Sequence, residues 1–306
     1  MSVFILPDAL AGERVDAAAA RVSGWSRSRV DAILEAGGLT LDGVVVTKAS
    51  QRVAGGELLE LVGDLKPDHV VVRPRTVAGL GVVHEDADIV VVDKPAGIAA
   101  HPSIGWDGGS VTEHLAAAGY RMATSGAPER QGVVQRLDVG TSGLMVLARS
   151  EVAYTVLKQA FRDRTVGKTY HALVRGLPDP HEGTVEAPIG RHPNHEWKMA
   201  VLADGRESTT HYITLEAHRA ATLLEIQLET GRTHQIRVHM AALHHPLVGD
   251  PLYGADPTLA ERVGLRRQWL HAMELTFVHP VSREQVTFSS QYPSDLQHAL
   301  DALRDA

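Results

Sequence analysis

The stretch QRLDVGTSGLMVLA, residues 135–148, passes from a polar turn straight into an apolar run. Leu144-Met145-Val146-Leu147-Ala148, bounded by turn residues, is strand-like. Ahead of it, Asp138 sits among Thr141, Ser142 and two glycines. Taken alone, Asp138 fits a turn-forming aspartate as well as a carboxylate that the turn presents. The remainder of the chain has to decide.

Outward from this stretch, short β-type runs dominate. "GVVHEDADIVVVDKPAG" holds two strands around an acidic turn, and "KTYHALVRG", "RESTTHYITLE", "TLLEIQLETG", "LHAMELTFVHP" and "QVTFSSQYP" follow. Helical spacing falls near 111–118, 151–162 and 233–243. Strands with a few interspersed helices and no regular βαβ alternation predict an α+β fold on a mixed, mostly antiparallel sheet with flanking helices. The N-terminal part reads differently. Val15, Ala18, Ala19 and Val22 lie at helical spacing, and Ser26 is placed to cap a second helix carrying Val30, Ile33 and Leu34. Asp42-Gly43 between two apolar runs predicts a hairpin with a two-residue turn of left-handed residues. Another strand is expected at 58–62. The resulting division is a small module at 12–66, a linker at 67–79 with two prolines, and a large domain at 80–302.

Composition limits the chemistry. With 306 residues, 44% hydrophobic and 22% charged, the chain has ample material for a core. It contains no cysteine, which removes disulfides, thiolate zinc sites and cysteine nucleophiles. No apolar run is long enough to cross a bilayer, and the start of the chain is a poor secretory signal, so a cytoplasmic protein is expected. A formal net charge of −7 counts mildly against a dedicated nucleic-acid binder, although a basic face can sit on an acidic protein.

Familiar motifs fail on spacing. Gly167-Lys168-Thr169 imitates a phosphate-binding loop, but Arg162 stands where its first glycine belongs. Gly140-Thr141-Ser142-Gly143 imitates a nucleophile elbow, but Leu144 stands where the last glycine belongs. The 17 histidines include no zinc-type pair, so no metal is expected.

Three polar clusters remain: Arg136-Leu137-Asp138 with Thr141-Ser142-Gly143; Lys168-Thr169-Tyr170; and "TGRTHQIRVHMAALHHPLVGDPLYG", residues 230–254, where Arg232, Gln235, Arg237 and His239 crowd a helix start. Together they resemble the RluA/RluD family of RNA pseudouridine synthases. Arg136-Leu137-Asp138-x-x-Thr141-Ser142-Gly143-Leu144 is similar to its signature. "DKPAGIAAHPS", "KTYHALVRG", the 230–254 stretch and "LHAMELTFVHP" resemble its other elements in the same order. The chain departs from the pattern at Gln135, where the family often has His, and at Val139-Gly140. The N-terminal module resembles the S-four (αL-type) RNA-binding domain often attached to these enzymes.

The resemblance implies isomerisation of uridine to pseudouridine, with the base flipped out of its stack and no cofactor. It assigns Asp138 as the essential carboxylate, either a nucleophile or the base that makes a glycal. Such a carboxylate must be ionised and fixed, and a neighbouring cation does both. Arg232 is the expected partner, with Arg237 the alternative, and Tyr170 offers a ring against the uracil. Arg136, Thr141, Gln235 and Arg237 are expected substrate contacts, and Arg27, Arg29 and Lys48 phosphate contacts on the small module. The expected partner is RNA, with large-subunit ribosomal RNA first and transfer RNA second. No membrane, small-molecule cofactor or second subunit is expected. A non-catalytic RNA-binding or assembly factor on the same fold is the competing class, and the intact Asp138, Tyr170 and Arg232 argue against it. A nucleoside glycosidase would need a second carboxylic acid that the sequence does not point to.

Overall fold

Residues 2–25, 27–63, 72–103, 106–195 and 197–305 are described by a computed structural model, without the side chain of Ser28. They fall into two units, Met1–Val70 and Val71–Ala306.

The small unit contains β1 (Ser2–Ile5), α1 (Val15–Ser23), α2 (Arg27–Glu35), β2 (Leu39–Leu41), β3 (Val44–Val45) and β4 (Leu58–Leu61). Its antiparallel sheet runs β1-β4-β2-β3. The helices bury Val15, Ala18, Ala19, Val30 and Ile33 against Leu39, Leu41, Leu59 and Leu61 of the sheet. Asp42 and Gly43 have φ of 47° and 78°, the two left-handed residues that a tight hairpin requires. The cap expected at Ser26 lies outside the described residues, as do residues 67–71 of the expected linker. Strand β1 lies upstream of residue 12 and pairs with β4 along its whole length. Four residues carry too little periodicity to be read alone.

The large unit contains β5 (Gly81–Glu85), β6 (Ile89–Lys94), α3 (Val111–Ala117), β7 (Ser142–Ala148), α4 (Glu151–Arg162), β8 (Gly167–Arg175), β9 (Glu182–Glu186), β10 (Ile189–Arg191), β11 (Met199–Val201), β12 (Thr209–Ala217), β13 (Ala221–Leu228), α5 (Gln235–Ala242), α6 (Pro257–Arg262), β14 (Leu270–Val278), β15 (Gln285–Ser289) and α7 (Ser294–Arg304). Its main sheet has the order β5-β6-β7-β14-β8-β13-β12-β9, with β15 also on β14. Only β7 with β14 is parallel among the described pairs, so the sheet is mixed and mostly antiparallel. β10 and β11 form a separate two-stranded ribbon.

Helices cover both faces, which explains the apolar run of the opening stretch. All seven residues of β7 are buried. Met145 and Leu147 pack with Val111 and Leu115 of α3 and with Ile236 and Met240 of α5. Leu144 and Val146 face the other way, into the cluster containing Leu157 of α4, Leu275 and Phe277. A third cluster joins Trp269 to Leu296 and Leu300 of α7. Each such side chain contributes roughly 1.5–3 kcal/mol by leaving water.

The parallel pair is tight at Gly143. Its φ is +113°, and a Cβ there would lie 2.3 Å from the Ala272 carbonyl oxygen and 2.6 Å from its nitrogen. Gly143→Ala is therefore expected to lower unfolding stability by about 2–3 kcal/mol. Urea titration of the two proteins checks this, and equal midpoints would refute the close approach. No helix among the described residues is long and apolar enough to cross a membrane.

Candidate active site

Sheet register brings the polar clusters together. Ala272 of β14 pairs with Gly143 on one side and with Tyr170 of β8 on the other, two strand spacings or about 10 Å apart. Tyr170 in turn pairs with Ile226 of β13. The chain leaving β13 runs through Gly231 to His234 and enters α5, so the third cluster arrives beside the first two.

The turn that carries Asp138 is held from beneath. Thr141 N donates to the Asp138 carbonyl at 3.0 Å, closing the turn. The Val139 carbonyl accepts from Gly97 N at 2.8 Å and from Lys94 Nζ at 3.4 Å, and Arg267 Nη1 donates to the Gly140 carbonyl at 3.0 Å. Lys94 is completely buried and also donates to the carbonyls of Pro95 and Ile98. Burial pulls its pKa down to about 7, with Asp138 acting the other way. At Gly140 a Cβ would run into the amide of Gln268, so Val139-Gly140 is a packed departure from the family pattern.

The cation on Asp138 is Arg237, and the expectation of Arg232 is corrected. Arg237 Nη1 donates to Asp138 Oδ2 at 3.1 Å, while Nε and Nη2 grip Asp250 at 2.7 and 2.9 Å. Burial works against this cation; the carboxylates of Asp250 and Asp138 more than offset it and raise its pKa. Asp250 Oδ1 also accepts from the backbone of Leu252 and Tyr253. The planar fork is thereby fixed on one side and aimed at Asp138 on the other. Arg232 lies before the helix and donates through Nε to the Glu207 carbonyl at 3.1 Å, with no bond to Asp138 among the described residues. Burial, then the charges of Arg206 and Arg164, lower its pKa, so it faces other cations.

Tyr170, 8% exposed, lines the same cavity as Asp138, Arg136, Arg232 and Arg237. Burial, followed by the charge of Asp138, raises the pKa of its phenol. His234, to which the sequence motifs assign no role, lines this cavity too, and its Nε2 stands 3.8 Å from Asp138 Oδ2. It has left-handed φ and ψ of 57° and 19°, an uncommon conformation for a residue with a side chain. Tyr253 Oη accepts from Met199 N at 2.9 Å and lies 2.8 Å from His234 Nδ1. With the phenol O–H donating a hydrogen bond to Nδ1, the imidazole N–H is on Nε2, facing Asp138. Burial lowers the His234 pKa, with Asp138 opposing. Its neighbours Asp250 and Tyr253 were in the quoted 230–254 stretch but carried no local sign of their partners.

Gln235 lines the same cavity. Its side chain is 3% exposed and fully occupied: Nε2 donates to the Thr209 carbonyl and Thr210 Oγ1, and Oε1 accepts from Thr230 Oγ1 and Arg232 N. These bonds tie together the loop that leads into α5. Thr141 is buried as well, under Gln268 Nε2 at 3.4 Å. Arg136 is exposed at the cavity mouth.

From that mouth a groove of about 620 Å³ continues, sharing Arg136, Tyr170 and Arg232 with the cavity. Arg130, Arg136, Lys158, Arg162, Lys168, Arg206 and Arg232 line it, and no carboxylate does among the described residues. Burial and Arg164 hold Lys168 down to about 8. Gln135 also lines it, with its buried Nε2 lacking a partner among the described residues. On the small unit, Arg27 is tied to Asp16 at 3.0 Å, Arg29 lies over the Trp25 ring at 4.0 Å, and Lys48 is exposed.

A fixed carboxylate beside a flat ring, opening on a cationic groove, suits chemistry on a nucleotide within a polyanion. The family model described as RNA pseudouridylate synthase matches residues 88–242, the segment that carries Asp138, Tyr170, His234 and Arg237, and the chain belongs to that family. It is an isomerase of the RluA/RluD type. The chain is 58% identical to an uncharacterised RNA pseudouridine synthase of Mycobacterium bovis, over 98% of this chain and 97% of the relative. It is 42% identical to the ribosomal large subunit pseudouridine synthase D of Xanthomonas campestris, over 98% and 92%. Among solved structures, human RNA pseudouridylate synthase domain containing 4 aligns at a TM-score of 0.58 and 27% identity, over 73% of this chain and 93% of the human one.

Proposed function

We propose that this enzyme converts a uridine of large-subunit ribosomal RNA into pseudouridine, without a cofactor, using Asp138 as the reacting carboxylate. The observation that carries the reading is Asp138 held by Arg237 at 3.1 Å in a cavity shared with Tyr170. The bond between ribose C1′ and uracil N1 breaks, the base turns over, C5 joins C1′, the C5 proton leaves and N1 takes up a proton, so that product and substrate are isomers. Asp138 either attacks or takes a proton from the sugar, in both cases as a fixed anion. Tyr170 offers its ring to the flipped base. The relatives named ribosomal large subunit pseudouridine synthase D support ribosomal RNA as the substrate, since they match nearly the whole chain. The small unit is read as an S-four-like RNA-binding domain, with Lys48 and, less freely, Arg27 and Arg29 near phosphates.

The groove supports a backbone track. Its cations concentrate positive charge on a chain whose net charge is −7. Tritium release from C5-labelled transcripts tests both points. Release is expected from large-subunit ribosomal RNA; release from transfer RNA alone would overturn the substrate. Lys158→Gln with Arg162→Gln, both exposed on α4, is expected to lower the salt slope of RNA binding by about 1–2. An unchanged slope would remove α4 from the track.

A further inference from the structure

The β10–β11 ribbon carries a feature that the catalytic site does not use. Trp197, beside β11, is 66% exposed, so it contributes little to any core. It is not an isolated ring. His195 lies 6.0 Å from Trp197 and 4.8 Å from His192, centroid to centroid. The turn that carries the rings is bonded internally: His192 Nδ1 accepts from Asn194 N at 3.1 Å, and Lys198 N donates to the His195 carbonyl at 3.0 Å. The His192 ring and the backbone of the turn are held before anything binds, which reduces the ordering cost of binding.

The ribbon is also tied to the reacting carboxylate. Met199, two residues after Trp197, donates to Tyr253 Oη, which contacts His234 Nδ1, whose ring faces Asp138. By this route the Trp197 backbone lies within about 20 Å of Asp138, given roughly 3.3 Å per extended residue. Arg191 and Lys198 put two positive charges on the 191–198 stretch against the one negative charge of Glu196.

We infer that the His192–His195–Trp197 array is a stacking platform for unpaired nucleobases of the RNA that flank the target uridine. This rests on the reading of RNA as the substrate. Extruding one base leaves its neighbours unstacked, and single-stranded bases take aromatic faces as substitute partners. Stacking tolerates any base, so the platform holds the strand without reading its sequence.

Anisotropy of labelled decauridylate, with a short blunt RNA duplex as control, tests the platform. Trp197→Ala is expected to weaken decauridylate binding roughly 5- to 100-fold, while Trp197→Phe stays close to wild type because the flat face is kept. Duplex binding is expected to be the same for all three proteins, since its bases are already stacked. Wild-type affinity of Trp197→Ala for decauridylate would overturn the inference. An equal loss on the duplex would also overturn it, as a general effect on fold or charge. Because the readout is binding to oligouridylate, it stands or falls separately from turnover of ribosomal RNA.

Discussion

Asp138→Asn loses tritium release by about 10⁴-fold or more, while RNA affinity stays within a few-fold of wild type. Asparagine keeps the shape of the side chain and removes its capacity to act as nucleophile or base. Binding survives because the phosphate track lies on other residues, and removing a negative charge beside a polyanion does not oppose binding. The fold also survives: Arg237 keeps both bonds to Asp250, so the stability change stays below about 1 kcal/mol. Single-turnover tritium release and filter binding on the same preparation read both quantities. Activity in the Asn variant would sink the assignment of Asp138, and lost RNA binding would mean that the carboxylate holds the site together.

Arg237→Met has the larger effect on stability, about 3–5 kcal/mol by urea unfolding. The Asp250 carboxylate, whose side chain is 0% exposed, loses two guanidinium donors, and Oδ2 then has no partner among the described residues. Adding Asp250→Asn removes the stranded charge and restores part of the stability. Activity does not return in the double variant, since Asp138 still lacks its cation. Arg232→Met makes the contrast, because its guanidinium bond is to one backbone carbonyl near the surface; its stability loss stays below about 1 kcal/mol. Equal losses for the two arginines would reverse the pairing described above.

Local pattern was readable wherever burial repeats along the chain. The apolar run of β7 is buried on both faces, and α4 occupies the expected 151–162, capped by Ser150 accepting from Ala153 N. Asp42-Gly43 carries its hairpin by backbone preference alone. Other signals were present and went unread. α7 buries Leu296, Ala299, Leu300 and Leu303, a helical stripe after Pro293. The three-residue strands β10 and β11 are too short for any periodicity. The parallel pairing of β7 with β14 joins residues 129 apart, as the Ser142–His271 bond shows, and nothing local to either strand announces it.

By itself, the sequence determined the α+β class, the main helices and strands of both units, and, through collinear motifs, the family, with Asp138 as the carboxylate proposed to react. The tertiary structure decided which arginine serves it. Arg232 and Arg237 lie in the same short stretch with the same charge, and spacing does not separate them. Burial does: α5 carries Arg237 into the interior between Asp250, 13 residues away, and Asp138, 99 residues away. An unpaired cation there would be costly, whereas Arg232 stays among other cations beside the groove. The same long-range register placed His234 and Tyr253 at the carboxylate and tied Gln235 into the loop, because hydrogen-bond partners are set by which strands meet, not by their order along the chain.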